Sequence, residues 1–478
     1  MSAAKAPTLT VIRIEAYERD IRLRLPFRFG VVTLREAPQA YVRVRIRLAD
    51  GREGWGLAAE LLAPKWFDKN TALSNEDNFA QLRRSLAIAA ELQRGADPGS
   101  AFARHAAIEP EQHRRCAAEG LNGLIASFGL ALLDRAVIDA LCRLERLDVF
   151  TAVRQNRLGI TAATAPDLAD FDLDAFLGTL APASAIRARH TVGLVDALTR
   201  AEIAPEARRG DGLPESLEEA IDAYGHRDFK LKVGGQLDAD LDRLSRIAAV
   251  LDRIPGGYRA TLDGNEQYES AEAAAALLER ITREPRLARL WDAILFVEQP
   301  IARSRALEAP VDVLARLKPV EIDESDASMD AFRQARGLGY TGISSKSCKG
   351  FYRALLNRAR ATAWNAEEGH VTYFMSAEDL TTQPGIAVQQ DLALATLIGC
   401  DHVERNGHHY VDGFAGAPES EQQAFLAAHP DLYHRQDGRV RLAIRDGTIA
   451  IASLATPGLG VGAEPDWSSL RPLEWESA

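Results

Sequence analysis

Residues 259–300 read RATLDGNEQYESAEAAAALLERITREPRLARLWDAILFVEQP, and they set the expectation for the whole fold. The short runs Arg259–Asp263 and Ile294–Glu298 are rich in apolar residues and predict two strands. Between them, Ala271–Arg283 carries apolar residues at helical spacing and predicts an amphipathic helix. A strand, a helix and a second strand in this order are typical of a βαβ unit in a parallel sheet.

The same alternation continues on both sides of this unit, from about residue 186 to residue 410. Eight short strands alternate with helices over about 220 residues, which predicts an α/β fold with a (β/α)8 TIM-like barrel. The predicted strands are Ile186–Gly193, Asp228–Val233, Arg259–Asp263, Ile294–Glu298, Val320–Glu324, Gly342–Lys346, Val371–Ser376 and His402–Arg405.

The segments that flank the barrel have a different pattern. Tyr41–Leu48 alternates apolar and basic residues, as a half-buried strand does, and Asp50 and Gly51 then predict a turn. Helical runs follow, so residues 1–163 are expected to form a small α+β domain. The C-terminal segment, residues 411–478, is too short for a domain and is expected to pack on the N-terminal one.

Composition excludes several classes of function. The chain has 478 residues with 46% hydrophobic and 26% charged residues, which is ordinary for a globular protein. Acidic residues number 68 against 57 basic ones, giving a formal net charge of -11. With no basic block, we expect neither nucleic acid nor an anionic membrane surface as a partner. The longest apolar stretch, Leu124–Leu133, is too short to span a membrane.

The cysteines indicate the compartment. Cys116, Cys142, Cys348 and Cys400 lie far apart in the sequence. They predict neither a CxxC metal site nor a dense disulfide framework. A reduced, cytoplasmic setting fits this distribution best.

Three consecutive predicted strands end in a carboxylate. Asp263, Glu298 and Asp323 each follow an apolar residue, and the C-terminal strand ends form the active face of such a barrel. Three converging carboxylates repel one another unless a cation is present. Oxygen ligands select a hard cation, Mg²⁺ before Mn²⁺ or Ca²⁺. The alternative is that these acids cap the helices that follow.

Lysines are expected on both sides of that metal. Lys230 and Lys232 are two residues apart on the second strand, so both side chains face the same way. Two ammonium groups in one barrel mouth would lower each other's pKa, although a lysine pair can also form a solvated strand face. Lys346 on the sixth strand lies opposite, and Lys349 follows in the loop. The metal would bind the carboxylate of the substrate, and one lysine would lie on each side of it. This arrangement would support removal of an α-proton through an enediolate.

Five motifs in this order make the resemblance specific. They are Lys-x-Lys at 230–232, Asp-x-Asn at 263–265, Val-Glu-Gln-Pro at 297–300, Asp-Glu-Ser at 323–325 and Lys-x-x-Lys-Gly at 346–350. The series resembles the enolase superfamily, in its mandelate racemase and muconate lactonizing enzyme group. The end of the seventh strand, Met375–Glu378, lacks a histidine, so the chain is similar to the two-lysine branch.

The resemblance implies an N-terminal capping domain that the C-terminal tail completes, and a homo-oligomer. It assigns the Mg²⁺ ligands to Asp263, Glu298 and Asp323, the acid and base to Lys232 and Lys346, and contact with the substrate carboxylate to Lys230. It also implies that loops of the cap, Pro26–Gly30 and Pro64–Phe67, set specificity.

Three further residues are candidates for substrate binding. Arg28 and Lys65 in the cap loops would hold a second anionic group, and Glu404 at the end of the eighth strand would hold part of the substrate. The alternative for each is an ordinary solvated side chain.

The resemblance implies an isomerase or lyase that acts on a small carboxylate. From one enediolate, the family reaches racemisation or epimerisation, cycloisomerisation and dehydration. Two other functions stay open from the residues alone. One is a Schiff-base lysine aldolase on the same barrel, and the other is a catalytically silent metal-binding barrel protein.

Overall fold

The N-terminal unit is built on an antiparallel sheet. The computed structural model describes residues 6–29 and 32–473 of the chain. Strands β1 (Leu9–Phe29), β2 (Val32–Leu48) and β3 (Glu53–Leu61) form a meander. In β2 the apolar residues of the alternating run are buried, whereas the basic residues between them lie on the wetter face. The turn between β2 and β3 contains Gly51 at φ +89°, a conformation that favours glycine.

Helices pack on the buried face of this sheet and on one another. They are α1 (Asn75–Gly95), α2 (Ala101–Ala118), α3 (Gly123–Glu145), α4 (Val149–Arg154) and α5 (Leu173–Thr179). Ser74 and Asp77 form the capping box that begins α1. Residues Leu124 to Cys142 of α3 are buried without interruption, because this helix packs against both the sheet and the other helices. That position explains why this helix is largely apolar on all sides.

A closed parallel barrel follows the capping unit. Its strands are β4 (Ala185–Val192), β5 (Asp228–Lys232), β6 (Arg259–Asp263), β7 (Ile294–Glu298), β8 (Val320–Ile322), β9 (Gly342–Ser345), β10 (Phe374–Ala377) and β11 (His402–Arg405). Each strand pairs with the next, and β11 pairs with β4 to close the ring. The predicted TIM-like barrel with an N-terminal capping domain is therefore confirmed. In the register, Lys232 lies beside Asp263, and Asp263 lies beside Glu298.

Helices connect the barrel strands. They are α6 (Leu217–Tyr224), α7 (Leu237–Leu251), α8 (Ala271–Arg283), α9 (Ala288–Ala293), α10 (Asp312–Ala315), α11 (Ala331–Gly337), α12 (Phe351–Glu368) and α13 (Ile386–Leu397). The short helix α14 (Gly407–Tyr410) follows β11, the last barrel strand.

The seventh strand begins three residues later than predicted. The Asn365 side chain accepts hydrogen bonds from the backbone N–H groups of Thr372 and Tyr373, so this segment caps the end of α12 and does not pair in the sheet. The fifth strand is shorter than predicted, because the Asp323 N–H donates to Gln299 Oε1 at 2.8 Å and leaves the strand ladder.

The C-terminal segment contacts both units. It comprises α15 (Glu419–Ala428), β12 (Tyr433–Gln436), β13 (Arg439–Leu442), β14 (Thr448–Ala450) and β15 (Arg471–Pro472). Strand β14 pairs with β4 of the barrel, and β15 pairs with β1 of the cap. The Leu459 N–H donates to Asp139 Oδ1 on α3 at 2.7 Å. Among the described residues, no helix is both long enough and apolar enough to cross a bilayer.

Candidate active site

The two lysines of β5 both point into the barrel mouth. Lys232 Nζ donates to Asp263 Oδ2 at 2.5 Å, and Lys230 Nζ lies 2.9 Å from the same oxygen. Both side chains are buried. They share one side of the strand because residues two apart face the same way. The end of β6 is therefore held directly beside the end of β5.

Lys230 is the most heavily paired lysine in the described part of the chain. Its Nζ lies 2.8 Å from Glu298, 2.5 Å from Glu378 and 3.0 Å from Glu404, in addition to Asp263. Burial alone would lower the pKa of Lys230, but these carboxylates outweigh it and hold the pKa well above its ordinary value. The expectation that the neighbouring ammonium would lower this pKa is wrong, since the acids are closer and more numerous.

A second lysine pair lies across the mouth. Lys346 Nζ, just after β9, is 2.6 Å from Asp323 Oδ2. Lys349 Nζ is 3.0 Å from Asp323 Oδ1 and also donates to the Asp323 carbonyl at 2.9 Å. Burial would raise the pKa of Asp323, yet the two ammonium groups hold it well below its ordinary value. Burial would lower the pKa of Lys346, whereas Asp323 raises it. Lys349 therefore contacts a predicted metal ligand.

The predicted metal ligands differ in their surroundings. Asp263 and Asp323 are each paired with two lysines, whereas Glu298, on the strand between them, is paired in the described part of the chain with Lys230 alone. Glu298 Oε2 lies 2.8 Å from Lys230 Nζ, yet among the described residues it has no well-aligned hydrogen bond. Burial and the negative charges of Asp263 and Glu378 raise the Glu298 pKa well above its ordinary value. A buried, under-satisfied carboxylate among other carboxylates suits a hard divalent cation.

The carboxylate oxygens that lie closest together form a slightly different group. One oxygen each from Glu298, Glu321 and Glu378 lies within 4.8 Å of the other two, so these residues form a candidate acidic metal site. Glu321 accepts a hydrogen bond from Ser376 Oγ at 2.9 Å. Burial, reinforced by Glu378, raises the Glu321 pKa to about 8. The triad of Asp263, Glu298 and Asp323 stays a prediction.

Glu378 is a site residue that the sequence reasoning missed. It follows β10 directly and contacts both Arg189 of β4 and Lys230. Burial raises its pKa to about 7 despite those two cations. The signal was available, because Glu378 stands at a C-terminal strand end just as Asp263 does.

Glu404 lies at the end of β11, among the inward-facing polar groups. Its Oε1 accepts from Thr191 Oγ1 at 2.6 Å and from Asn406 Nδ2 at 2.8 Å, while Oε2 lies 3.0 Å from Lys230 Nζ. Burial would raise the Glu404 pKa, but Lys230 lowers it well below its ordinary value. Glu404 therefore lines the mouth as an ionised carboxylate.

A pocket of about 40 Å³ lies between the cap and the barrel. Lys232 and Lys346 line its barrel side, and Phe27, Leu34 and Trp66 line its cap side. The Trp66 ring centroid lies 5.0 Å from Lys346 Nζ, within the range of a cation–π contact. The apolar cap residues thus close the mouth above the lysines and limit access of water.

Two predicted substrate contacts do not line this pocket. Arg28 is exposed on β1, and the strand alternation turns its neighbour Phe27 inward instead. Lys65 is buried, but its Nζ donates to the carbonyls of Asn70 and Leu73 at 2.9 and 2.5 Å. Lys65 therefore stabilises its own loop. Of the other cap loop, Gly30 lies outside the described residues.

The fold and the sequence identify the family together. A family model described as enolase C-terminal domain-like, of the mandelate racemase and muconate lactonizing enzyme type, matches residues 212–467, which is more than half of the chain. The chain therefore belongs to this group of the enolase superfamily. Among curated proteins, a search finds no match to this chain.

Solved structures show the same architecture. A 2-chloromuconate cycloisomerase from Rhodococcus opacus is 20% identical to this chain, with a TM-score of 0.56. The match covers 95% of this chain and 97% of the cycloisomerase. A dipeptide epimerase from Enterococcus faecalis is 13% identical, with a TM-score of 0.59, and the match covers 95% of this chain and 99% of the epimerase. An enolase superfamily member from Roseovarius nubinhibens, solved with magnesium, is 18% identical, with a TM-score of 0.54. The match covers 98% of this chain and 99% of that protein. At these identities the likeness concerns the fold.

Proposed function

We propose that this protein removes the α-proton of a small carboxylate substrate and that Lys232 and Lys346 carry the proton transfer. The observation that carries this proposal is the placement of the two lysines in one pocket. Strands β5 and β9 are second and sixth in a closed ring of eight, so their ends lie on opposite sides of the mouth. A substrate between them presents one face of its α-carbon to each ammonium group.

The carboxylates beside the lysines support the acid and base roles. Lys232 donates a hydrogen bond to Asp263, and Lys346 donates one to Asp323, so each amine has a partner that fixes its direction. A positioned amine removes the proton on one side, and the opposite ammonium gives a proton back or assists a leaving group. Lys230, which is held by four carboxylates, keeps its charge and is placed to attract the substrate carboxylate.

Asp263, Glu298 and Asp323 are proposed to hold Mg²⁺, with Mn²⁺ as a substitute. When bound, the ion would supply positive charge that stabilises the enediolate anion and lowers the pKa values of nearby lysines. The under-satisfied Glu298 carboxylate and its raised pKa support this assignment. All three ligands offer oxygen only, which favours Mg²⁺ over softer metals.

The cap is proposed to exclude water during the reaction. Trp66, Phe27 and Leu34 cover the lysines with apolar surface. A dry pocket strengthens the attraction between the substrate carboxylate and its partners and protects the anion from solvent protons. Opening of the cap would then admit the substrate and release the product.

Racemisation or epimerisation, cycloisomerisation and dehydration all begin with this proton transfer. The named structural neighbours include a cycloisomerase and an epimerase, so both kinds of reaction are compatible with the architecture. A Schiff-base aldolase would need a neutral amine and no metal, which leaves the three strand-end carboxylates without a role. A silent metal-binding barrel would leave the opposed lysines without a role.

Deuterium incorporation tests the proposal. The protein with Mg²⁺ would be incubated in deuterated water with a panel of small carboxylic acids, and mass spectrometry would detect exchange at the α-carbon. We expect exchange that EDTA abolishes and that Lys232→Ala and Lys346→Ala reduce. Lys318→Ala is the matched control, since Lys318 donates to the carbonyls of Trp291 and Ile294, away from the pocket. Exchange at the wild-type rate in both site variants, or a borohydride-trapped lysine adduct with a carbonyl compound, would contradict it.

A further inference from the structure

Three buried histidines meet outside the barrel mouth. His190 lies on β4, His226 lies between α6 and β5, and His408 is the second residue of α14. Their exposed fractions are 2%, 0% and 8%. On β4, the neighbours Arg189 and Thr191 face the barrel interior, so His190 points to the outer side. The cluster is therefore separate from the proposed active site.

The ring nitrogens converge at short distances. His408 Nε2 lies 3.1 Å from His226 Nε2 and 3.2 Å from His190 Nδ1. All three nitrogens lie within 4.8 Å of one another. Zinc–nitrogen bonds of about 2.0–2.1 Å in a tetrahedral site place the ligand nitrogens about 3.3 Å apart. Two of the three nitrogen pairs therefore already have the spacing that imidazole ligands adopt around one ion, and the third pair lies within 4.8 Å.

Hydrogen bonding within the cluster leaves nitrogen lone pairs facing each other. His226 Nδ1 lies 3.2 Å from the Ala188 carbonyl, which can only accept, so Nδ1 carries the proton and Nε2 is bare. His408 Nε2 has one position for a proton but two nitrogen neighbours. Among the described residues, His408 Nδ1 has no hydrogen-bond partner. Hydrogen bonds alone thus leave this cluster incompletely satisfied, which is costly for buried polar atoms.

The same contacts are those of a metal ligand set. A ligating histidine commonly donates its second ring N–H to a carbonyl, which fixes the tautomer and the ring orientation, as His226 does toward Ala188. Burial lowers the pKa of His226 to about 4, so this imidazole is neutral near neutral pH and its lone pair is free. Imidazole nitrogen suits Zn²⁺ and its late first-row neighbours and does not suit Mg²⁺.

We infer that His190, His226 and His408 form a second metal site, which binds a late first-row divalent cation, Zn²⁺ foremost. A small cavity of about 20 Å³ borders His408 and is lined in part by Tyr224 and Gly407, and a water molecule is proposed as the fourth ligand. The ion would tie together β4, the segment before β5 and α14. The backbone carbonyl of His409 on α14 accepts from Arg24 of β1 at 2.8 Å, so the site would also stabilise contact with the cap.

Cobalt substitution tests this inference on the whole, untagged protein. Excess Mg²⁺ would occupy the carboxylates of the mouth while Zn²⁺ or Co²⁺ is titrated. We expect one Zn²⁺ per chain, intense tetrahedral absorption bands with Co²⁺, and X-ray absorption that reports three imidazole ligands. The wild-type measurement stands alone even if a variant fails to fold. No binding of either metal by the folded wild type, or an oxygen-only coordination shell, would overturn the inference.

Variants then localise the ion. Loss of a group behind a ligand typically costs about 10–100-fold in affinity, so His226→Gln or His408→Gln should weaken Zn²⁺ binding by at least about 100-fold. His409→Gln is the matched control, because His409 is the adjacent buried histidine but is not among the converging ligands. Equal affinity in the wild type and both ligand variants would overturn the site. Since the readout is metal binding, its failure is distinguishable from failure of the proposed activity.

Discussion

Strand β4 separates two buried polar clusters of opposite chemistry. On its inner face, Thr191 Oγ1 donates to the ionised Glu404 carboxylate at 2.6 Å. On its outer face, one residue earlier, His190 lies 3.2 Å from His408. The inner cluster consists of carboxylates that are balanced by lysine and arginine, whereas the outer cluster consists of neutral imidazoles.

The difference between the two clusters shows how the two faces of one strand can present different kinds of metal ligand. Buried carboxylates need cations nearby, so the inner cluster recruits ammonium groups and offers hard oxygen ligands. Buried imidazoles avoid the cost of charge by staying neutral, and they offer nitrogen lone pairs to a softer ion. Strand alternation places the two chemistries one residue apart.

The largest expected effect concerns the lysines of the inner side. Positioned proton transfer contributes about 10²–10⁴-fold per group, so Lys232→Ala or Lys346→Ala should reduce kcat by at least about 10²-fold. Steady-state kinetics on the substrate found by exchange would measure it, with Lys318→Ala as control. A loss below about tenfold in both variants would remove the lysines from the chemistry.

The next effect separates the metal preferences of the two clusters. Glu298→Gln keeps the shape of the side chain but removes a charged oxygen ligand, so Mg²⁺ affinity should fall by about 100-fold, or about 2.7 kcal/mol. Calorimetry would measure Mg²⁺ binding to this variant and to His226→Gln, which should bind Mg²⁺ as the wild type does. Equal Mg²⁺ affinity in Glu298→Gln and the wild type would place the ion elsewhere.

The third effect is a pH dependence of opposite sign in the metal-free protein. Burial lowers the His226 pKa to about 4, so its contribution to the free energy of unfolding is complete above the unfolded pKa of about 6.5 and is lost as pH falls toward 4. Burial raises the Glu321 pKa to about 8, so its contribution is complete below the ordinary value of 4.5 and is lost as pH rises through 8. Between its unfolded and folded pKa values, each group changes the free energy of unfolding by about 1.4 kcal/mol per pH unit.

Urea unfolding over a range of pH would test these signs. Relative to the wild type, His226→Gln should lose less stability on the acidic side, and Glu321→Gln should lose less on the alkaline side. Parallel profiles of the wild type and both variants would show that neither group titrates as its surroundings indicate.

The strand ends were readable from the sequence, whereas contacts within loops were not. Asp263 and Glu298 follow regular apolar strands, and a parallel register places such ends side by side. Lys65 carried no comparable signal, because carbonyl groups of its own loop capture its ammonium group. Arg28 depended on which side of β1 faces the pocket, and this side is set by the long-range pairing with β2.

The histidine cluster was equally hidden in the sequence. His190, His226 and His408 come from distant segments, and only closure of the ring by pairing of β11 with β4 brings them together. The adjacent pair His408 and His409 does not have the HExxH spacing of a zinc protease, so it gives no signal of a metal site either. Three separated histidines have no periodic pattern for sequence analysis to find.

Stereospecific proton exchange tests the central claim that Lys232 and Lys346 serve opposite faces of one substrate carbon. In deuterated water, each enantiomer of the substrate would be incubated with Lys232→Ala and with Lys346→Ala, and α-deuteration would be followed by mass spectrometry. For a racemase or epimerase, we predict that one variant still exchanges the α-proton of one enantiomer and that the second variant exchanges that of the other. Loss of exchange for the same enantiomer in both variants would contradict the account, because both lysines would then act on one face.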